Sequence, residues 1–180
     1  MAGKTTQYEA LVIKRSSFGE ADQVVTLLSA EAGRQAVVAK GSHKLTSSRL
    51  AALEPGTLIK VHLIETKGMP LLTQAIVVDQ LTQAYQGVGH IRAITQWLEL
   101  MDLLFVEEEV EDFIFAKVLA GRKLVADPKT SVSRMRRHVF DLVESLGFTD
   151  KSLSANDSIA SVIATISDKP LRGFEFLSVR

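Results

Sequence analysis

The hydrophobic period of this chain changes once, near Gln80, and that switch limits the fold more than any other feature. Before it lie the runs "YEALVIKR", "QVVTLLSA", "RQAVVAK", "TLIKVHLIET" and "LLTQAIVVD", rich in Val, Ile, Leu and Thr. Runs of this kind, bounded by turn residues, read as strands. In the fourth, Leu58, Lys60, His62 and Ile64 face one way and Ile59, Val61, Leu63 and Glu65 the other, as a half-buried strand requires. The links "EAG" and "KGMP" are short and carry glycine, as hairpins need, whereas the third-to-fourth link is long. Five strands with that long link suit a small closed barrel. The OB-fold is the commonest such barrel, and an SH3-like barrel matches the strand count nearly as well.

After Gln80 the spacing becomes helical. Ile91, Ile94, Leu98, Met101 and Phe105 recur at three and four, widened by Trp97 and Leu104. A second helix places Val110, Phe113, Ile114, Lys117, Val118, Gly121 and Leu124 on one side. A third carries Val132, Met135, Val139, Leu142, Val143 and Leu146. Asp127 is expected as its cap and Pro128 at its first helical position. Gly147 is its expected left-handed stop, with Phe148 packing back on Val143. Ile159, Val162, Ile163 and Ile166 suggest a fourth helix, and Pro170 begins a last short piece. The expected class is α+β: an N-terminal OB-fold, a five-stranded β-barrel, over 1–80, followed by a C-terminal α-helical bundle domain over 81–180.

Charge is segregated along the chain. Lys and Arg total 21 and Asp and Glu total 21, so any grip on a polyanion must come from a local patch. Residues 39–56, "AKGSHKLTSSRLAALEPG", supply one: Lys40, His43, Lys44 and Arg49, with no carboxylate before Glu54. Arg34 precedes them, and Lys14 and Arg15 end the first run. Gly41 and the serines let the main chain come close to a ligand and donate hydrogen bonds that read no sequence. The residues alone leave two readings, a solvated loop or a phosphate-facing one. Between 81 and 112 the balance is acidic, through Glu99, Asp102, Glu107, Glu108, Glu109, Glu111 and Asp112. It turns basic again at Arg122, Lys123, Arg134, Arg136 and Arg137. Arg122, Lys123, Arg134 and Arg137 are either a solvated face paired with the acidic stretch or a second contact for DNA or an acidic peptide. "VEEEVED" itself reads as a helix start.

Several functions lack their residues. There is no P-loop, no G-x-S-x-G and no H-E-x-x-H, and with no cysteine there is neither a thiol nucleophile nor a disulfide. His43, His62, His90 and His138 share no ligand spacing, and Glu20 and Asp22 read as turn residues. An enzyme, a cofactor and a metal are therefore not expected. Elemental analysis of the folded chain should find no stoichiometric zinc, and a chelator should leave its melting temperature unchanged; a firmly held zinc would contradict this reading. No run approaches the roughly 18 apolar residues of a membrane span, so a cytoplasmic protein is expected. Tyr8 and Phe18 are the only aromatic residues of the barrel half. Phe18 reads as a turn anchor, so contact through backbone charge is expected over base stacking.

An ordered set of short motifs resembles the RecO family of bacterial recombination mediators. The set is "FGEAD" at 18–22, "VTLLS" at 25–29, Gly33, "AKGSHK" at 39–44, Ser48-Arg49 and "LEPG" at 53–56, with "LGF" at 146–148 and "KPLRGFEFL" near the end. The resemblance is dense over roughly the first 60 residues and thin after 80. It implies an OB-fold that binds single- and double-stranded DNA through Lys14, Arg15, Arg34, Lys40, His43, Lys44 and Arg49, and strand annealing without ATP. It also implies partnership with RecR and with the acidic C-terminal tail of single-stranded-DNA-binding protein, helping to load RecA recombinase at the nucleoid. Many family members carry a four-cysteine zinc module, which this chain lacks, and the chain is shorter after Phe148 than is usual. Two other readings remain open at this point: an RNA-binding or ribosome-associated OB module, and a non-catalytic protein adaptor.

Overall fold

The structure, a computed structural model, describes residues 4–41, 51–81, 88–148 and 161–163. The β-branched runs form strands β1 Thr5–Phe18, β2 Asp22–Ser29, β3 Gly33–Ala39, β4 Leu58–Ile64 and β5 Leu71–Asp79. They close into a barrel in the order β1-β2-β3-β5-β4. The neighbours are antiparallel except β3 and β5, which run parallel and meet at Val38 and Leu71. β1 is long because it serves two partners: residues 5–11 pair with β4, and 11–18 with β2. A register shift between Val12 and Lys14 marks the change of course, as a bulge bends and twists a strand.

The barrel interior follows from strand alternation. Ile59, Val61 and Leu63 of β4 point inward to join Ala10, Val12, Val25 and Val37 in one buried cluster. Ala51 and Ala52 are helical, and Ala52 and Leu53 enter the same core. Each such Val or Leu contributes about 1.5–3 kcal/mol relative to exposure. Leu11, Ile13 and Leu28 are also buried but lie outside that cluster, so β1 and β2 bury residues on both faces.

The chain does not divide into two successive blocks. Met1–Leu81 groups with Leu104–Val110, and Thr82–Leu103 with Glu111–Arg180. Residues 104–110 therefore form a strap on the barrel unit. The Val106 carbonyl accepts the Arg34 N–H at 2.8 Å, and the Val110 N–H donates to the Ala30 carbonyl at 2.7 Å. Gly33 lies beneath the strap with φ +58°, and a Cβ there would stand 2.0 Å from the Glu108 carbonyl oxygen and 2.5 Å from that of Val106. Of "VEEEVED", only Glu111, as the N-cap residue, and Asp112, in the first turn, belong to the helix start; Glu107, Glu108 and Glu109 lie in the strap.

The helices are α1 Val88–Leu104, α2 Asp112–Ala126 and α3 Val132–Ser145. Two expectations are corrected. α3 begins later than expected: its cap is Ser131, whose Oγ accepts the Arg134 N–H at 3.2 Å. Asp127 instead ends α2, and its Oδ1 accepts the Lys129 N–H, so Pro128 sits in the connecting turn. The buried stripe of α2 is Ile114, Phe115, Val118, Gly121 and Arg122, while Phe113 is half exposed. Lys117 is drawn toward α3, where its Nζ donates to Ser145 Oγ at 2.6 Å. Ser131→Ala should lower stability by about 1 kcal/mol, read as the shift of a urea midpoint, because the Arg134 N–H at the helix start loses its acceptor.

α3 stops as expected. The Gly147 N–H donates to the Glu144 carbonyl and the Phe148 N–H to that of Val143, the paired bonds of a Schellman ending. The Phe148 ring remains 41% exposed. Val162 and Ile163 are buried in the helical residues 161–163; Ile159, Ile166 and Pro170 lie outside the described residues. No helix among the described residues is long and apolar enough to cross a membrane.

Candidate nucleic-acid interface

Register places one set of predicted residues together. Directly opposed residues in an antiparallel pair share a face. Lys14 stands opposite Thr26 and Thr26 opposite Ala36; Ser16 stands opposite Val24 and Val24 opposite Val38. Phe18 opposes Asp22, and Lys40 follows Val38 by two residues on the same side. The outer face of β1, β2 and β3 thus carries Lys14, Phe18, Arg34 and Lys40 around short neutral side chains. Lys14 and Lys40 are exposed, and Phe18 is 51% exposed. Sequence reasoning took Phe18 for a turn anchor; its ring is open to solvent at the basic end of the face.

The two ends of the face differ in charge. Arg34 lies six residues from Lys40 along β3, about 20 Å at the rise of a strand. It sits at the strap end, half-buried, near the exposed Glu107, Glu108 and Glu109. Glu107 Oε1 accepts from Gln35 Nε2 at 3.0 Å, and Gln35 Oε1 accepts from the Tyr8 hydroxyl at 2.8 Å. Burial, then the charges of Glu31 and Glu107, push the Tyr8 phenol up to about 12, so it stays protonated as that donor. Carboxylates at this end repel phosphate and leave the Lys14–Lys40 end as the attractive one.

Other predicted residues fall elsewhere. Arg15 opposes Val25, which points into the core, so it turns away from the face; its guanidinium is engaged by the Glu54 carboxylate. His43, Lys44 and Arg49 lie outside the described residues. Asp22 Oδ1 accepts the Gly41 N–H at 2.8 Å, tying the end of β3 to the start of β2. Asp22 is therefore a turn residue of a particular kind, one that anchors the basic stretch. In the helical unit, Lys123, Arg134 and Arg137 are exposed, but Arg122 is 1% exposed and held inside. Its position in the buried stripe of α2 sets aside the expectation that it meets a partner.

One contributor was missed. The β4–β5 hairpin is tied to β3 where the Val38 N–H donates to the Pro70 carbonyl at 2.8 Å. It brings exposed Lys67 and Met69 beside the face. The hairpin was legible as "KGMP", and OB-type barrels use this loop to hold nucleic acid. Only the parallel β3–β5 pairing shows which surface it flanks.

Residues 1–81 match the family model described as recombination protein O N terminal. A protein of Roseiflexus sp. named DNA repair protein RecO is 31% identical over 149 residues, covering 82% of this chain and 52% of that protein. Proteins of the same name from Nocardioides sp. and Myxococcus xanthus are 38% and 40% identical over 104 and 109 residues, covering 56% and 60% of this chain. They are covered over 41% and 45% of their own lengths, so the chain spans about half the length of the curated relatives it matches. The barrel order, the matched profile and these identities agree: the first 81 residues are a RecO N-terminal domain.

Proposed function

We propose that this chain is a DNA-binding mediator of repair and recombination that makes and breaks no covalent bond. Its barrel binds single- and double-stranded DNA without sequence preference, promotes strand annealing, and helps RecR load RecA recombinase. The helical unit receives the acidic tail of single-stranded-DNA-binding protein through exposed Lys123, Arg134 and Arg137. One observation carries the reading: Lys14, Phe18 and Lys40 share an outer face of a RecO-type barrel, flanked by Lys67.

The chemistry is charge neutralisation. Lysines at the open end lower the repulsion between two phosphate backbones, and the short residues Ala36 and Val38 let the backbone lie close. Phe18 adds a surface for one unpaired base.

A titration with a fluorescent single-stranded oligomer across salt concentrations tests this. Among the described residues three cations, Lys14, Lys40 and Lys67, predict that log affinity falls with log salt at a slope of about −2.1, from about 0.7 per phosphate, and contacts by Lys44 and Arg49 would steepen it. Affinity indifferent to salt would overturn the reading, and preference for an RNA oligomer of the same sequence would redirect it to RNA.

A further inference from the structure

Two exposed apolar side chains border the basic face, and both stand on fixed backbone. Phe18 ends β1, paired with Asp22 of β2. Met69 is 39% exposed in the β4–β5 hairpin, where Thr66 Oγ1 donates to the Met69 carbonyl at 2.9 Å and accepts the Gly68 N–H at 3.1 Å. The bond from the Val38 N–H to the Pro70 carbonyl holds that hairpin against β3. β3 and β5 run parallel with Val38 beside Leu71, so Met69 comes level with Ala36, two residues back on each side. Ala36 opposes Thr26, and Thr26 opposes Lys14. Phe18 lies four residues beyond Lys14 on the same side of β1, level with Lys40.

Four corners result, with Lys14 and Lys40 on one diagonal and Phe18 and Met69 on the other. Three strand spacings of about 4.8 Å and four residues at about 3.4 Å make each side about 14 Å, so the two apolar corners stand about 20 Å apart. Between them Ser16, Val24, Ala36 and Val38 form a short, uncharged floor. Lysines so placed hold the phosphates of a single strand and of a duplex alike. Phe18 and Met69 do not, because a base shows its face to a side chain only after it is unpaired and unstacked. A ring suits a base by stacking, and a polarizable thioether suits it by packing on its π-face. Corners that far apart meet two different bases. We infer that Phe18 and Met69 are the specificity-determining pair of this face, each taking one unpaired base, so that the face prefers strands with free bases to fully paired DNA. This inference rests on the DNA reading above.

Three probes of one length test it: a fluorescent oligothymidine, the same sugar-phosphate chain made abasic throughout, and a blunt duplex. The wild-type chain should bind oligothymidine at least about ten-fold more tightly than the abasic strand. Phe18→Ala should weaken oligothymidine about ten-fold and Met69→Ala about three-fold, with the salt slope unchanged because no charge is removed. Neither change should alter affinity for the abasic strand or the duplex, and Phe18→Tyr, which keeps a ring, should bind as the wild type does. Both side chains are exposed, so each variant should melt near the wild-type temperature. Equal wild-type affinity for the thymidine and abasic strands overturns the inference and leaves the DNA reading standing. An equal loss on the duplex in Phe18→Ala does the same. Failure to bind any of the three probes overturns both.

Discussion

Gly33→Ala should lower the stability of the barrel unit by about 2–5 kcal/mol, adding a left-handed backbone penalty of 1–2 to an overpacking cost of 1–3. The atoms a new Cβ would strike are the Glu108 and Val106 carbonyl oxygens, part of the strap backbone and unable to swing aside as a side chain does. Relief requires lifting the strap, which also breaks the bond from the Arg34 N–H to Val106 and the bond from the Val110 N–H to Ala30. Hydrogen exchange should report the damage locally, with the Arg34 and Val110 amides losing protection before the β4 amides do. A wild-type urea midpoint with those amides still protected would show that the strap does not seat on Gly33.

Replacing Lys40, Lys44 and Arg49 together by Ala should all but remove DNA binding at physiological salt. Three phosphate contacts on duplex DNA account for a slope of about 2.7, which at 0.1 M salt is about 500-fold in affinity when 1 M is taken as the point where the charge effect vanishes. Stability should change by no more than about 0.5 kcal/mol, since Lys40 is exposed and outside the core cluster. A control pair, Lys60→Ala and Lys129→Ala, removes charge from β4 and from the helical unit. If the control loses as much affinity as the triple, the attraction is diffuse and no particular surface carries it.

The strands were readable because a half-buried strand writes its burial as alternation, as Ile59, Val61 and Leu63 do against Lys60, His62 and Ile64. The Gly147 stop was readable because a Schellman ending depends on one residue type at one place. The α3 cap was misassigned because Asp127 and Ser131 both suit a helix start, and the choice rests on which backbone N–H groups lack partners. Burial of Arg122 was not readable: the residue fits an exposed basic cluster by spacing, and only the rotation of α2 about its axis turns it inward. The same holds for Arg15, turned inward by the register of β1 on β2. The set proposed to face DNA therefore depends on the pairing, which shows which cations share a face, adding Phe18 and Lys67 and removing Arg15.

The strap has a consequence for how the protein comes into being. Synthesis delivers all five strands by Asp79, yet the β2–β3 corner does not receive its Val106 and Val110 partners until α1 has also been made. A nascent chain halted after residue 81 would expose the Arg34 amide and the Ala30 carbonyl at that corner, a template open to passing strands. The glutamates at 107–109 then arrive as a charged cover for it. Expression of residues 1–81 alone would thus release a barrel with one corner unsealed and prone to self-association, whereas a piece ending after Val110 would carry its own cover.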